Sequence, residues 1–81
     1  METVRILLFA GLGEKVGRQM EWPWRAGLTI EGLIEEMGER HPEVRAYAPT
    51  LMTAVNAVYR PRSWELRAGD EVALIPPVSG G

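Results

Sequence analysis

The chain has 81 residues, a formal net charge of −2 at pH 7, no cysteine and one histidine. A chain of this length forms one domain with a small core, and 46% hydrophobic with 25% charged residues is typical of a globular protein. Without cysteine, disulfides, thiolate catalysis and thiolate-bound metals are excluded. The acidic charge argues against nucleic acid as a partner. No apolar run reaches membrane-spanning length and no basic secretion signal precedes the first strand, so we expect a cytoplasmic protein that does not bind membranes.

The first half of the chain predicts two strands and a helix. Residues 3–9 alternate as a strand does, and the glycine-rich stretch AGLGEKVG after them indicates a loop. Residues 19–24 predict a second strand, which Pro23 restricts to a sheet edge because proline cannot donate to a ladder. Thr29 is a suitable N-cap for a helix with one apolar stripe. The helix ends at residues 41–42, since the residue before a proline avoids helical geometry.

The second half predicts short strands. Residues 43–47 suit a short turn or helix, residues 51–55 a third strand, and residues 71–75 the last strand. Asn56 and Ala57 predict a turn into a fourth strand around residues 58–59. This order of elements indicates an α+β fold, a small mixed sheet with one main helix packed on one face.

Alternation also predicts which face of the sheet is open. Because one helix covers one face, the side that carries the charges of the first and last strands is the uncovered one, and it includes Phe9 and Ile75. These two side chains meet if the first and last strands are parallel neighbours, and Tyr59 can join them from the fourth strand. An exposed apolar patch there indicates a protein–protein contact. The alternative is that loops fold over it.

The chain finishes with PPVSGG, directly after the last strand. Two prolines end strand pairing and keep the chain extended, and six residues reach roughly 20 Å. Gly80 and Gly81 pass where any Cβ would collide. The group at the tip is the α-carboxylate of Gly81, which is ionised at pH 7 and a poor electrophile. Attachment of a leaving group such as AMP would make it an acyl donor, or allow sulfur to replace one oxygen.

The segments ILLFAGLGEKVG, AVN and AGDEVALIPPVSGG resemble the small, sulfur-carrying subunit of molybdopterin synthase, the MoaD type of the ubiquitin-like β-grasp sulfur-carrier family. The resemblance covers essentially the whole chain and is strongest over residues 69–81. It implies a β-grasp domain at residues 1–75 and a flexible C-terminal tail at residues 76–81. Gly13 stands where the family usually has arginine, so a first-loop contact made by that arginine is not carried over.

The resemblance implies a non-catalytic subunit of a synthase complex. An E1-like adenylating enzyme would activate the Gly81 carboxylate with ATP and Mg²⁺, and a sulfurtransferase or cysteine desulfurase would supply sulfur to form a thiocarboxylate. The large subunit of molybdopterin synthase would take the tail into its pocket, where the thiocarboxylate would give sulfur to cyclic pyranopterin monophosphate. The threaded residues would be Val78, Ser79 and Gly80, and the partner-binding patch would be Phe9, Tyr59 and Ile75. The chain itself would bind no cofactor and no metal.

Two other functions stay open. The same sulfur chemistry could serve tRNA thiolation or thiamin synthesis, and a ubiquitin-like modifier or interaction domain could end in Gly-Gly without any sulfur chemistry.

The glycines of GLGEKVG fit neither the dinucleotide-binding nor the Walker pattern, so ATP belongs to the activating partner. Intact mass after incubation with ATP, an activating enzyme and a sulfur source separates a carrier from an inert module.

Overall fold

The computed structural model describes residues 1–77, so the predictions for Val78, Ser79, Gly80 and Gly81 lie outside the described residues. All five predicted strands and the main helix are present, with ends shifted by a residue or two. In chain order the elements are β1 (Thr3–Leu8), α1 (Ala10–Val16), β2 (Gln19–Pro23), α2 (Ile30–Arg40), α3 (Pro42–Tyr47), a 3-10 turn (Ala48–Thr50), β3 (Met52–Val55), β4 (Val58–Tyr59) and β5 (Glu71–Ile75).

The strands form one mixed sheet in the order β2-β1-β5-β3-β4. The first and last strands are parallel neighbours, with Leu8 opposite Leu74, which is the condition under which Phe9 and Ile75 are expected to meet; the other pairs are antiparallel. Strand β2 lies at an edge, as Pro23 requires. Because β5 is paired on both sides, the chain leaves the sheet from a central strand.

Helix α2 covers one face of the sheet and closes the core. Thr29 caps it as predicted, since the Thr29 Oγ1 accepts a hydrogen bond from the Gly32 amide at 3.1 Å. The apolar stripe of the helix packs on the strand residues that point to the same side. The side chains with no exposed surface are Val4, Ile6, Leu12, Ile30, Leu33, Met37, Val44, Val72 and Leu74.

The stretch AGLGEKVG, predicted as a loop, is helix α1, and that prediction is wrong. Its glycines lower helix propensity, but Leu12 is fully buried and Val16 packs against the core, so tertiary contacts hold the helix. Gly13 is needed where α1 crosses the end of β1. A Cβ there would lie 2.4 Å from the carbonyl oxygen of Leu8, so no side chain fits without a shift of the backbone.

The long segment between β4 and β5 is tied to the start of α2. Ile30 donates its amide proton to the carbonyl oxygen of Trp64 at 3.0 Å, and Leu66 donates to Leu28 at 2.8 Å. Arg62 forms an ion pair with Glu31 at 3.2 Å. None of the helices within residues 1–77 has the length and apolarity needed to cross a bilayer.

Candidate functional site

Phe9 and Ile75 come together at the end of the sheet from which the chain leaves. The Phe9 amide donates to the carbonyl oxygen of Leu74 at 3.3 Å, which continues the β1–β5 ladder one residue past the end of β1. Phe9 and Ile75 then line one cleft of about 510 Å³. The same cleft is lined by Ala10, Gly11, Tyr47, Pro76 and Pro77. With the first and last strands in parallel, Phe9 and Ile75 therefore border the same cleft, and so do Pro76 and Pro77.

The shape of this cleft follows from the turn between β1 and α1. Ala10 lies in the left-handed region with φ of 52°, and this turn leaves Phe9 45% exposed. An alanine there costs roughly 1 kcal/mol or more relative to glycine. Tyr47 forms the opposite wall from α3, and its hydroxyl lies 3.1 Å from where a Cβ of Gly11 would stand. Because Gly11 has no side chain, the Tyr47 side chain can pack against it.

Tyr59 lies on the same open face but does not line the cleft. It pairs with Ala54 at the β4 edge, and Ala54 pairs in turn with Ala73 of β5. Met52 fills the gap, because it is directly opposite Ile75 and is 50% exposed, while Tyr59 is 64% exposed. We call this group the apolar patch, and it consists of Phe9, Met52, Tyr59 and Ile75. The sequence analysis missed Met52, although it stands one strand over from Ile75 at the same level.

The other half of the open face is charged. Arg5 lies between Glu21 of β2 and Glu71 of β5 in the strand register, and its guanidinium is 3.7 Å from the Glu71 carboxylate. Thr3 donates its hydroxyl proton to Glu21 at 2.6 Å. The open face thus divides into an apolar half beside the start of the tail and a polar half away from it.

Titratable groups near the cleft are few. Across residues 1–77 no group of three or more His, Cys, Asp or Glu side chains is placed to hold a metal ion. His41 ends α2 and begins α3, at a helix junction away from the cleft. The reactive group that the sequence predicts, the Gly81 carboxylate, lies outside the described residues.

Comparison with known proteins assigns the family. Residues 6–81 match the ThiS family, which is nearly the whole chain. The chain belongs to the ThiS family. Two relatives of this ThiS family member are each called molybdopterin synthase sulfur carrier subunit. The one from Chlamydomonas reinhardtii is 36% identical over 96% of this chain and 98% of its own length. The one from Mycobacterium tuberculosis is 31% identical over 100% of both chains.

The crystal structure of SAMP1 from Haloferax volcanii superposes with a TM-score of 0.83 at 27% sequence identity, covering 98% of this chain and 99% of that chain. The predicted ubiquitin-like β-grasp fold is confirmed by this likeness and by the mixed five-stranded sheet with one main helix across it. The resemblance to MoaD-type sulfur carriers, drawn from the first strand and the tail, is confirmed by the family match and the relatives.

Proposed function

We propose that this chain is the sulfur-carrier subunit of a molybdopterin synthase and that it carries sulfur as a thiocarboxylate on Gly81. The observation that supports this most is the similarity, over practically the full length of both chains, to relatives called molybdopterin synthase sulfur carrier subunit. Family membership that extends to residue 81 includes the Gly-Gly tail in the match. By this proposal the chain supplies no catalytic side chain and acts as the sulfur-donating part of a synthase complex.

The chemistry takes place at the Gly81 carbonyl carbon. An E1-like enzyme with ATP and Mg²⁺ converts the carboxylate to an acyl adenylate and releases pyrophosphate. A persulfide on a sulfurtransferase or cysteine desulfurase then attacks the acyl carbon and displaces AMP. A thiol reduces the resulting acyl disulfide and is itself oxidised to a disulfide, which releases the thiocarboxylate with sulfur in place of one carboxylate oxygen. In the synthase, the thiocarboxylate gives its sulfur to cyclic pyranopterin monophosphate and a carboxylate is regenerated. The carrier is therefore used repeatedly, in the cytoplasm where ATP is available.

The folded part of the chain fixes where the tail begins relative to the apolar patch. Strand β5 is held by neighbours on both sides, Pro76 is buried and Pro77 is exposed, so the start of the tail has a fixed position beside the apolar patch. When a partner binds Phe9 and Ile75, the start of the tail lies at a fixed distance from the bound surface. Val78, Ser79 and Gly80 then span from the patch into the partner's pocket, where the absence of a side chain on Gly80 and Gly81 permits a narrow channel.

The activating enzyme and the large synthase subunit both need the tail. Since the tail starts at one edge of the apolar patch, the two partners would use overlapping parts of that patch and would bind one after the other. Burial of the apolar patch supplies affinity in proportion to the apolar area removed from water. Its modest size suits a contact that must form and break in each cycle.

The proposal is tested by reconstitution. The full chain is incubated with an E1-like enzyme, ATP, Mg²⁺ and a sulfur donor, then mixed with a large synthase subunit and cyclic pyranopterin monophosphate, and molybdopterin is measured. We expect product with the full chain and none with a chain that lacks Gly81. Equal product from the shortened chain would contradict the proposal. Replacing the pterin with a tRNA or thiamin-precursor acceptor system shows whether another sulfur pathway is served instead.

A second candidate is a protein modifier, and the likeness to SAMP1, called small archaeal modifier protein 1, favours it. In that role the activated Gly81 carbonyl would be attacked by a lysine amine of another protein, with AMP leaving and an isopeptide bond forming. Peptide mass spectrometry of digested cell proteins would then find lysines that carry the C-terminal residues of this chain. Their absence, together with a thiocarboxylate on Gly81, favours the carrier.

A further inference from the structure

A second cleft lies on the opposite side of β4 from Tyr59. In the strand register Val58 faces Val55, whose side chain is on the helix-covered side of the sheet, whereas Tyr59 is on the open side. The second cleft has a volume of about 290 Å³. It is lined by Val55, Asn56, Val58, Arg60, Trp64, Arg67 and Asp70, and we call it the arginine cleft. It shares no residue with the apolar patch.

Arg60 is held in this cleft by stacking and not by an ion pair. Its guanidinium carbon lies 3.9 Å from the centre of the Trp64 ring. The guanidinium is planar, with its N–H groups in the fork geometry that binds a carboxylate through two hydrogen bonds, and contact with the aromatic face restricts its orientation. The Nε atom is shielded from solvent and has no hydrogen-bond partner within residues 1–77. Leaving this donor unpaired is costly, and because it is shielded from solvent, an incoming carboxylate would bind through the Nη groups of the guanidinium.

The charges around Arg60 leave the cleft positive. Arg67 is exposed at its edge, and the ion pairs within residues 1–77 use Arg5, Arg25 and Arg62 instead. The single carboxylate that lines the cleft, Asp70, is already engaged. It accepts hydrogen bonds from the Arg67 amide at 2.8 Å and from the Asn56 side chain at 3.0 Å. Two cations and one carboxylate therefore line the cleft, which leaves it with one net positive charge.

We propose that the arginine cleft binds a carboxylate side chain from an acidic segment of a partner protein. The carboxylate of a glutamate or aspartate would accept hydrogen bonds from the guanidinium of Arg60, with the charge of Arg67 beside it. A neighbouring apolar residue of the same segment would pack on Val58 and Trp64, which are 48% and 37% exposed. A protein partner fits better than nucleic acid, because the chain has a net charge of −2 and only two cations line this cleft. The inference stands independently of the proposed sulfur chemistry.

The test is a titration of the full, isotope-labelled chain followed by NMR. The probe is a short acetylated and amidated peptide with two glutamates between leucines, and its partner peptide has glutamine in place of both glutamates. We expect saturable shifts of the Trp64 indole N–H signal with the glutamate peptide, weaker at high salt because the charges are near the surface. The glutamine peptide should produce no saturable shift. Equal binding of the two peptides would overturn the proposal.

Variants assign the binding to the two arginines. Arg60→Gln and Arg67→Gln should each weaken the affinity about tenfold, because each removes one charged hydrogen-bond donor group. Arg60→Lys should also weaken it, since lysine keeps the charge without the planar fork. Arg45→Gln, at an exposed position of α3, is the control for net charge and should bind normally. Unchanged affinity in the folded Arg60 and Arg67 variants, or tighter binding of inorganic phosphate or a single-stranded oligonucleotide, would contradict the inference.

Discussion

The backbone amide of Phe9 donates a hydrogen bond to the carbonyl oxygen of Leu74 at 3.3 Å. This hydrogen bond extends the pairing of β1 with β5 to Phe9, one residue beyond the end of β1. The pairing therefore reaches the part of β5 that is followed by Pro76. The side chains of Phe9 and Ile75 consequently border one cleft with both prolines. The position of the tail's first residues relative to the apolar patch is therefore set by the two central strands of the sheet.

Phe9→Ala and Ile75→Ala should weaken binding to a large synthase subunit more than they weaken the fold. Each removes apolar contact area at the centre of the proposed interface, and a loss of about tenfold or more in affinity is expected if these are anchoring residues. Calorimetric titration measures the affinity, and thermal unfolding measures the fold. Glu39→Ala is the control, since Glu39 is exposed on α2, on the covered side of the sheet, and lines neither the apolar patch nor the arginine cleft. Unchanged affinity in both patch variants would remove the apolar patch from the interface.

Gly13→Ala should destabilise the protein by about 1–3 kcal/mol, the range for overpacking a tight site. The new Cβ would stand 2.4 Å from the carbonyl oxygen of Leu8, which belongs to the backbone and cannot move aside easily. Gly32→Ala is the matched control, because the nearest atoms to its Cβ lie at 3.5 Å and the residue is inside α2. There alanine should stabilise by roughly 0.5–1 kcal/mol. Urea unfolding measures the free energy of unfolding of both variants. A stabilised Gly13→Ala variant would contradict the close approach of α1 to the end of β1.

Ala57→Gly should stabilise the protein, which is unusual for a glycine substitution. Asn56 and Ala57 form the two-residue turn between β3 and β4, with φ of 50° and 69°. Such a turn needs positive φ at both positions, and glycine adopts it without the strain that alanine has. The expected gain is about 1 kcal/mol, measured by urea unfolding. Ala26→Gly, at an exposed position whose own φ is not positive, should show no gain.

Glu36 should make the stability depend on pH in the acid range. The hydrogen bond from Arg25 lowers the pKa of Glu36 most; partial burial opposes this, and the Trp22 indole N–H and the Arg25 charge lower it further. Because the folded pKa lies below the unfolded value of about 4.5, the stabilisation is complete above that pH and is lost as the pH falls through the folded pKa.

The Glu36→Gln variant measures this contribution. The free energy of unfolding of the variant should be lower than that of the parent chain near pH 7, and the two should converge below the folded pKa of Glu36. Urea unfolding across this pH range provides the comparison. A constant difference between the Glu36→Gln variant and the parent at all pH values would show that the carboxylate's charge is not involved.

Much of the fold could be predicted from local pattern. Strict alternation identified β1 and β5 and the side on which Phe9 and Ile75 lie, and the spacing of the apolar residues identified α2. Helix α1 was missed because its glycines lower the intrinsic helix propensity and the helix is held by core contacts of Leu12 and Val16. The spacing of Leu12 and Val16, four residues apart, was the available signal.

The site was harder to predict than the sheet. The pairing of β3 with β5 places Met52 opposite Ile75, and strand register depends on the whole sheet, so alternation within one strand could not reveal it. Tyr47 reaches the tail cleft because α3 packs near α1, a helix that the sequence analysis did not include. The stack of Arg60 on Trp64 depends on the path of an irregular segment, for which periodicity carries no information.

The mass of the C-terminal peptide, taken from cells that make molybdopterin, tests the central claim most directly. If the Gly81 carboxylate is the sulfur-carrying group, a part of this peptide should have the mass expected when one oxygen is replaced by sulfur. That part should disappear when the activating enzyme is absent. A peptide that keeps an unmodified carboxylate in all such cells, while molybdopterin is still made through this chain, would contradict the sulfur-carrier function.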